Sequence, residues 1–101
     1  MNADLAARLD TYDIRVMADA MYFCVFVRDG CLAMVPRGEF GEGFAGIGSS
    51  GLATDDGLLY LVWRDEKPML VGHTVERPAE PGQVDKVLRF SADLKAALGL
   101  E

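Results

Sequence analysis

The sequence predicts a single α+β domain over residues 1–101, in which an antiparallel meander of about five strands is flanked by an N-terminal and a C-terminal helix. Three observations indicate this class. Apolar residues recur at helical spacing at both ends of the chain, the middle holds short runs of aromatic and β-branched residues, and Asp and Gly separate those runs. A length of 101 residues suits one domain.

The N-terminal helix is predicted over residues 3–18. Four residues recur at steps of four, three and four and share one helix face: Leu5, Leu9, Tyr12 and Val16. Asn2 stands where an N-cap is needed, and Asp4 complements the helix dipole. The end of this helix stays open, because residues 14–17 also alternate as a strand does.

The first two predicted strands, residues 21–28 and 31–36, flank the pair Asp29-Gly30. That pair supplies the positive φ angles of a two-residue type I′ hairpin loop. The loop fixes the register: Arg28 faces Cys31, Phe26 faces Ala33 and Cys24 faces Val35. In this register both faces of the hairpin are apolar.

Residues 38–51 include six glycines among fourteen residues. This density predicts the most mobile internal part of the chain. Phe40 and Phe44 are expected to act either as a lid that closes on an apolar ligand or as a staple that pins this segment to the core. Its later part, residues 44–53, is expected to enter the sheet as a strand. The string from Gly41 to Gly46 matches G-x-G-x-x-G, but the residues after it cannot open a helix, so we expect no nucleotide site.

Two further turns and strands complete the predicted sheet. The turn at Asp55-Asp56-Gly57 is expected to use Asp56 and Gly57 as its loop, so that Asp55 faces Leu58. A strand over residues 58–64, a loop at Asp65-Glu66 and a strand over residues 68–74 follow.

The C-terminal helix is predicted over residues 83–98, with Gly99 as its cap. Its apolar face is expected to be Val84, Val87, Leu88, Ser91, Leu94 and Leu98.

A net charge of −6 opposes binding to phosphate backbones and anionic lipid surfaces, so neither nucleic acid nor membrane is expected as a partner. The apolar runs are far shorter than the roughly 20 residues of a membrane-spanning helix. The first residues also lack the basic stretch and apolar run of a signal peptide. We therefore expect a cytoplasmic protein.

The two cysteines are expected to be free. The hairpin register separates Cys24 from Cys31 by roughly 13 Å, which a disulfide cannot bridge. Cys31, beside Arg28, is the better candidate for a thiol of lowered pKa. With His73 as the only other soft ligand, no metal site and no cofactor are expected.

An enzyme is the least favoured class, and no catalytic residue is predicted. His73 is the sole histidine and the one ordinary base near neutral pH. Asp55 shares its row but is expected two strand spacings away, roughly 10 Å. Neither Ser49 nor Ser50 has a Gly two positions away on both sides, as a nucleophile elbow requires. The acid pairs Asp55-Asp56 and Asp65-Glu66 suit turns.

The two apolar faces of the sheet predict a non-enzymatic binding module. Two helices cover one face, so the other is expected to meet a second copy in a homodimer or to curl around a small apolar ligand. The candidate ligand-binding residues are Tyr22, Phe26, Phe44, Tyr60, Trp63 and His73. The alternative is an acidic interaction factor, such as an antitoxin, immunity protein or adaptor, that presents the two acid pairs to a basic protein partner. A small enzyme using His73 is the third class.

Overall fold

A computed structural model describes residues 2–38, 43–44, 46–48 and 50–100 of the chain. Helix α1 (Ala3–Thr11) precedes seven strands, and helix α2 (Pro81–Leu98) follows them. The strands are β1 (Arg15–Asp19), β2 (Phe23–Arg28), β3 (Cys31–Pro36), β4 (Gly51–Thr54), β5 (Gly57–Arg64), β6 (Lys67–Val71) and β7 (Glu76–Pro78). They form one sheet in sequence order, and every neighbouring pair is antiparallel. The α+β class and the terminal helices are confirmed, and the strand number is seven where about five were expected.

Helix α1 ends at Thr11, so the prediction of a helix to residue 18 is wrong. Asn2 caps it as expected, because its side chain accepts the Leu5 N–H at 2.7 Å. Asp13 takes a left-handed φ of 58° and turns the chain into β1. Pairing with β2 satisfies the backbone of this segment and overrides its helical spacing.

The hairpin of β2 and β3 has the predicted loop and register. Asp29 and Gly30 have φ values of 47° and 83°, as a type I′ loop requires. The three predicted cross-strand pairs are all present.

The register of β4 and β5 differs from the predicted one. Thr54 faces Gly57 and Ala53 faces Leu58, so Asp55 lies in the loop instead of facing Leu58. Gly57 alone takes a positive φ there, 90°, because it follows a turn held by the Thr54 hydroxyl. The next loop, at Asp65 and Glu66, is the two-residue loop expected.

Other strand bounds also differ from the prediction, and β2 begins at Phe23 where residue 21 was expected. β4 begins at Gly51, and Phe44 forms only an isolated bridge with Arg37. β6 ends at Val71, which leaves His73 in the loop before β7. The sequence did not indicate β7, because three residues ending in Pro give too short a pattern.

Both helices pack on one face of the sheet, here called the inner face. Its core side chains come from alternate strand positions: Cys24, Phe26, Ala33, Val35, Leu52, Leu59, Leu61 and Leu70. Helix α2 contributes Val87, Phe90, Leu94 and Ala97. Leu88, predicted for the apolar face of this helix, is 47% exposed, because the packed stripe passes through Phe90 instead.

Candidate functional site

The structure disperses the six predicted ligand-binding residues. Phe26 is fully buried on the inner face, where the partly buried Phe44 packs edge-on against it with ring centroids 5.9 Å apart. Tyr22 lies in the turn before β2 and is 77% exposed. The others lie elsewhere: Tyr60 opposite Gly51, Trp63 opposite Pro68, and His73 in the loop after β6. Among the described residues, the aromatic ring contact within this set is that of Phe26 with Phe44.

A cavity of about 180 Å³ lies between helix α2 and strand β5, and we call it the α2 cavity. Its lining residues come from the segment before β4, from β5 and from one side of α2: Ile47, Gly48, Ser50, Leu61, Trp63, Val87, Leu88, Ser91 and Lys95. Of the predicted ligand residues, Trp63 lines it.

Two hydroxyls line the α2 cavity. Ser50 is the one buried polar residue in the described part of the chain, and its Oγ lies 2.7 Å from the Oγ of Ser91. This bond joins the segment before β4 to α2. Each hydroxyl brings one hydrogen, and their mutual bond uses one, so one hydrogen is left to donate.

A second concavity, of about 240 Å³, has two guanidinium groups that already have partners. Arg8 donates to the Ala97 carbonyl and pairs with Asp4. Arg37 pairs with Asp19 and lies over the Phe44 ring. Hydrogen bonds from Cys24 and Arg37 hold the pKa of Asp19 below its ordinary value. These cations fasten α1 and β1 to neighbouring elements.

The concavity around His73 is formed by a single stretch of chain, residues 71–76. Glu76, the one acidic residue in it, pairs with Arg64. The lining residues that the structure describes come from β6, β7 and the loop that joins them, and Thr74 and Glu76 are polar residues in the same concavity as His73.

The outer face of the sheet, opposite the helices, is apolar over most of its extent. By the strand registers its members include Phe23, Val25, Val27, Leu32, Met34, Leu58, Tyr60, Val62, Met69 and Val71. Met34 is 52% exposed, and none of the helical core residues lies on this side. Leu58 is also exposed on this face, at 37%, whereas Val25 is buried.

The two acid pairs lie at opposite ends of strand β5. Asp55 and Asp56 precede it, whereas Asp65 and Glu66 follow it, so an eight-residue strand separates them. Asp56 is also paired with Arg77 at 2.8 Å. The single acidic patch expected of an interaction factor is therefore not formed by these four residues. No group of three or more His, Cys, Asp or Glu within the described ranges could hold a metal ion.

Both thiols are buried and free, as the register predicted. Burial raises the pKa of Cys31 above its ordinary value of 9.0, which corrects the expectation of a reactive thiol. Burial likewise raises the pKa of Cys24, and the bond to Asp19 adds to that effect.

The two buried thiols predict how the free energy of unfolding depends on pH. Because folding raises both pKa values, the protonated thiols contribute stability that is fully present below the unfolded value near 9 and is lost as the pH rises through the folded values. We expect the free energy of unfolding to fall above pH 9 by more than in a variant with both cysteines changed to Ala. An aromatic disulfide reagent at pH 8 should label native protein far more slowly than protein in urea. Rapid native labelling would contradict the burial of both thiols.

Part of the glycine-rich segment, including Phe40, Glu42 and Ser49, lies outside the described residues. The predicted mobility, the G-x-G-x-x-G string and the Ser49 position therefore stay predictions.

Comparison with known proteins found no relative. No protein-family model, curated protein or solved structure is significantly similar to this chain. Within the described ranges, neither helix combines the length and the apolar character needed to cross a membrane.

Proposed function

We propose that this protein is a non-enzymatic binding module that works as a homodimer, with the outer faces of two sheets packed together. The observation that carries the proposal is the continuous apolar surface opposite the helices. A soluble monomer rarely exposes an apolar patch of more than a few hundred Å², because such a surface promotes association.

The size of the outer face suits a dimer. A strand residue covers roughly 16 Å² of a sheet, about 3.3 Å by 4.8 Å, so the seven strands project roughly 600 Å². Side chains project from the plane of the sheet, so the accessible surface of this face is larger than its projected area. A standard interface buries about 800 Å² on each partner, which this face approaches.

The charge distribution favours a second copy as the occupant. Among the described residues, Glu76 is the one carboxylate at a strand position on the outer face, and it pairs with Arg64 at 2.5 Å. Arg15 lies in β1, which is an edge strand of the sheet. Lys67 is the first residue of β6, next to the β5–β6 loop. Two outer faces can therefore meet without bringing the acidic surplus of the chain together. An apolar centre with charges at its margin is also the anatomy of protein interfaces.

A twofold arrangement fits this geometry, because each copy presents the same apolar surface to the other. Packed sheets keep their strands within about 30° of each other and interlock the side chains between them. Met34 and Leu58, both partly exposed, would then be buried at the centre of the interface. The two free thiols support the cytoplasmic location that we propose for the dimer.

Met34→Glu tests the dimer. Light scattering of the native protein at about 100 μM, a concentration well above the Kd of a stable dimer, should give twice the chain mass of 11.0 kDa. Met34→Glu should raise the dimer Kd by about 100-fold or more, since each interface would bury two carboxylates without partners. Circular dichroism should stay native, because the Met34 side chain is already half-exposed in one chain.

Met21→Glu is the matched control. Met21 is 73% exposed, against 52% for Met34, and it lies in the turn before β2. It should leave the dimer intact. A native mass of 11.0 kDa would overturn the proposal. A dimer broken by Met21→Glu and not by Met34→Glu would place the interface elsewhere.

A further inference from the structure

The α2 cavity is lined by apolar and polar side chains that take no part in the proposed dimer interface. It lies on the inner face, so the packing of two outer faces leaves it open. Its lining combines apolar side chains, those of Ile47, Leu61, Val87 and Leu88, with the polar groups of Ser50, Ser91 and Lys95. Trp63, also in the lining, is 55% exposed. Apolar walls with a few polar groups are typical of small-molecule sites.

Its size limits the ligand to a small molecule. A cavity of about 180 Å³ is slightly larger than the roughly 150 Å³ apolar cavity that holds one benzene. A single aromatic ring with one small substituent fills such a space, whereas a nucleotide or a fatty acid exceeds it. An aromatic ring also suits the flat indole face of Trp63.

The polar groups that line the α2 cavity favour a ligand with a hydrogen-bond acceptor. The Ser50 and Ser91 pair leaves one hydroxyl hydrogen to donate. Lys95 follows Ser91 by four residues on the helix, so their side chains are neighbours on the same side of α2. Lys95 forms no ion pair with another residue in the described part of the chain. A hydroxyl donor beside an ammonium group matches a carboxylate.

We propose that the α2 cavity binds small aromatic monocarboxylates. The ring lies between Trp63 and the apolar walls, and the carboxylate accepts hydrogen bonds from Lys95 and from the Ser50–Ser91 pair. This site gives the proposed binding function its ligand, but it is independent of the dimer because the two surfaces lie on opposite sides of the sheet.

Benzoate is the probe, and Trp63 is its reporter. Trp63 is the only tryptophan in the chain, so its fluorescence reports on this cavity alone. Titration should give a saturable change with a Kd of about 1 mM or tighter, within the range of ligand efficiencies for so small a molecule. Amide shifts in nitrogen-15 spectra should map to α2 and β5. Benzamide, which has the same shape without the charge, should bind about five-fold more weakly or worse.

Lys95→Gln should weaken benzoate about five-fold or more, and it should abolish the preference over benzamide. Lys67→Gln is the matched control, since it removes the same charge from the far side of the sheet and should change the Kd less than about two-fold. Ser91→Ala should weaken benzoate by a further three-fold or so. Both Lys variants change exposed side chains, so the fold should be kept.

Three results would overturn the inference. The first is the absence of a saturable fluorescence change up to about 10 mM benzoate, a concentration well above the expected Kd. The second is equal affinity of the native protein for benzoate and benzamide. The third is an equal loss of benzoate affinity in Lys95→Gln and Lys67→Gln. The titration should be repeated with Met34→Glu. Unchanged affinity in that variant supports the separation of the two surfaces, and a native monomer that binds benzoate would remove the dimer while keeping the site.

Discussion

Phe26→Ala is expected to lower the free energy of unfolding by about 3–5 kcal/mol, the usual cost of emptying a fully buried Phe site. Phe26 has no exposed surface, pairs with Ala33 and Val16 in neighbouring strands, and receives the edge of Phe44. Backbone pairing of β2 on both sides prevents the surrounding strands from closing over the space. The removed ring therefore leaves a cavity as well as a loss of apolar burial.

Tyr22→Ala is the control for this prediction. Both residues are aromatic and belong to the same part of the chain, but Tyr22 is largely exposed in the turn before β2. Its truncation should change the free energy of unfolding by less than about 0.5 kcal/mol. Urea denaturation followed by circular dichroism measures both. A small effect at Phe26 would mean that the sheet can collapse around the missing ring.

The features predicted correctly were those that a few neighbouring residues determine. The pair Asp29-Gly30 requires positive φ values, and these set the register of β2 and β3. Asn2 and Gly99 terminate their helices because each satisfies backbone groups within one turn. The free state of both cysteines then followed from the register. None of these features depends on distant parts of the chain.

The features predicted incorrectly depend on partners far along the chain. Val16 continues the helical spacing of Leu5, Leu9 and Tyr12, but residues 15–19 form a strand because β2 offers an open edge for pairing. β7 is held by β6, and its three residues carry no periodic pattern of their own. Sequence spacing reports which local structure is compatible with a segment, and the available partner decides among the compatible ones.

The α2 cavity could be predicted only in part. Trp63 was a candidate because it lies in a strand that is apolar on both faces, and a sheet built of such strands was expected to curl around a ligand. Ser50 and Ser91 are 41 residues apart, so no local pattern connects them. Ser91 stood on the predicted apolar face of the helix, and a hydroxyl in such a stripe is the one signal that could have indicated a polar partner across the core.

Gly72→Ala and Gly82→Ala are expected to change stability in opposite directions. A Cβ at Gly72 would lie 2.5 Å from Cδ2 of Leu59. Leu59 is 1% exposed and is packed in the core, so its methyl group has little room to move away. We expect the free energy of unfolding to fall by about 1–3 kcal/mol, the usual cost of overpacking.

The same added methyl group at Gly82 meets nothing within 4 Å. Gly82 lies in the first turn of α2, where Ala restricts the unfolded chain and favours the helix, so stability should rise by about 0.5–1 kcal/mol. Comparing the two variants by urea denaturation separates the packing of the core from the conformational freedom of glycine, which both substitutions reduce. If Gly72→Ala also stabilises the protein, Leu59 can shift without cost, and the contact between β5 and the loop after β6 does not require glycine.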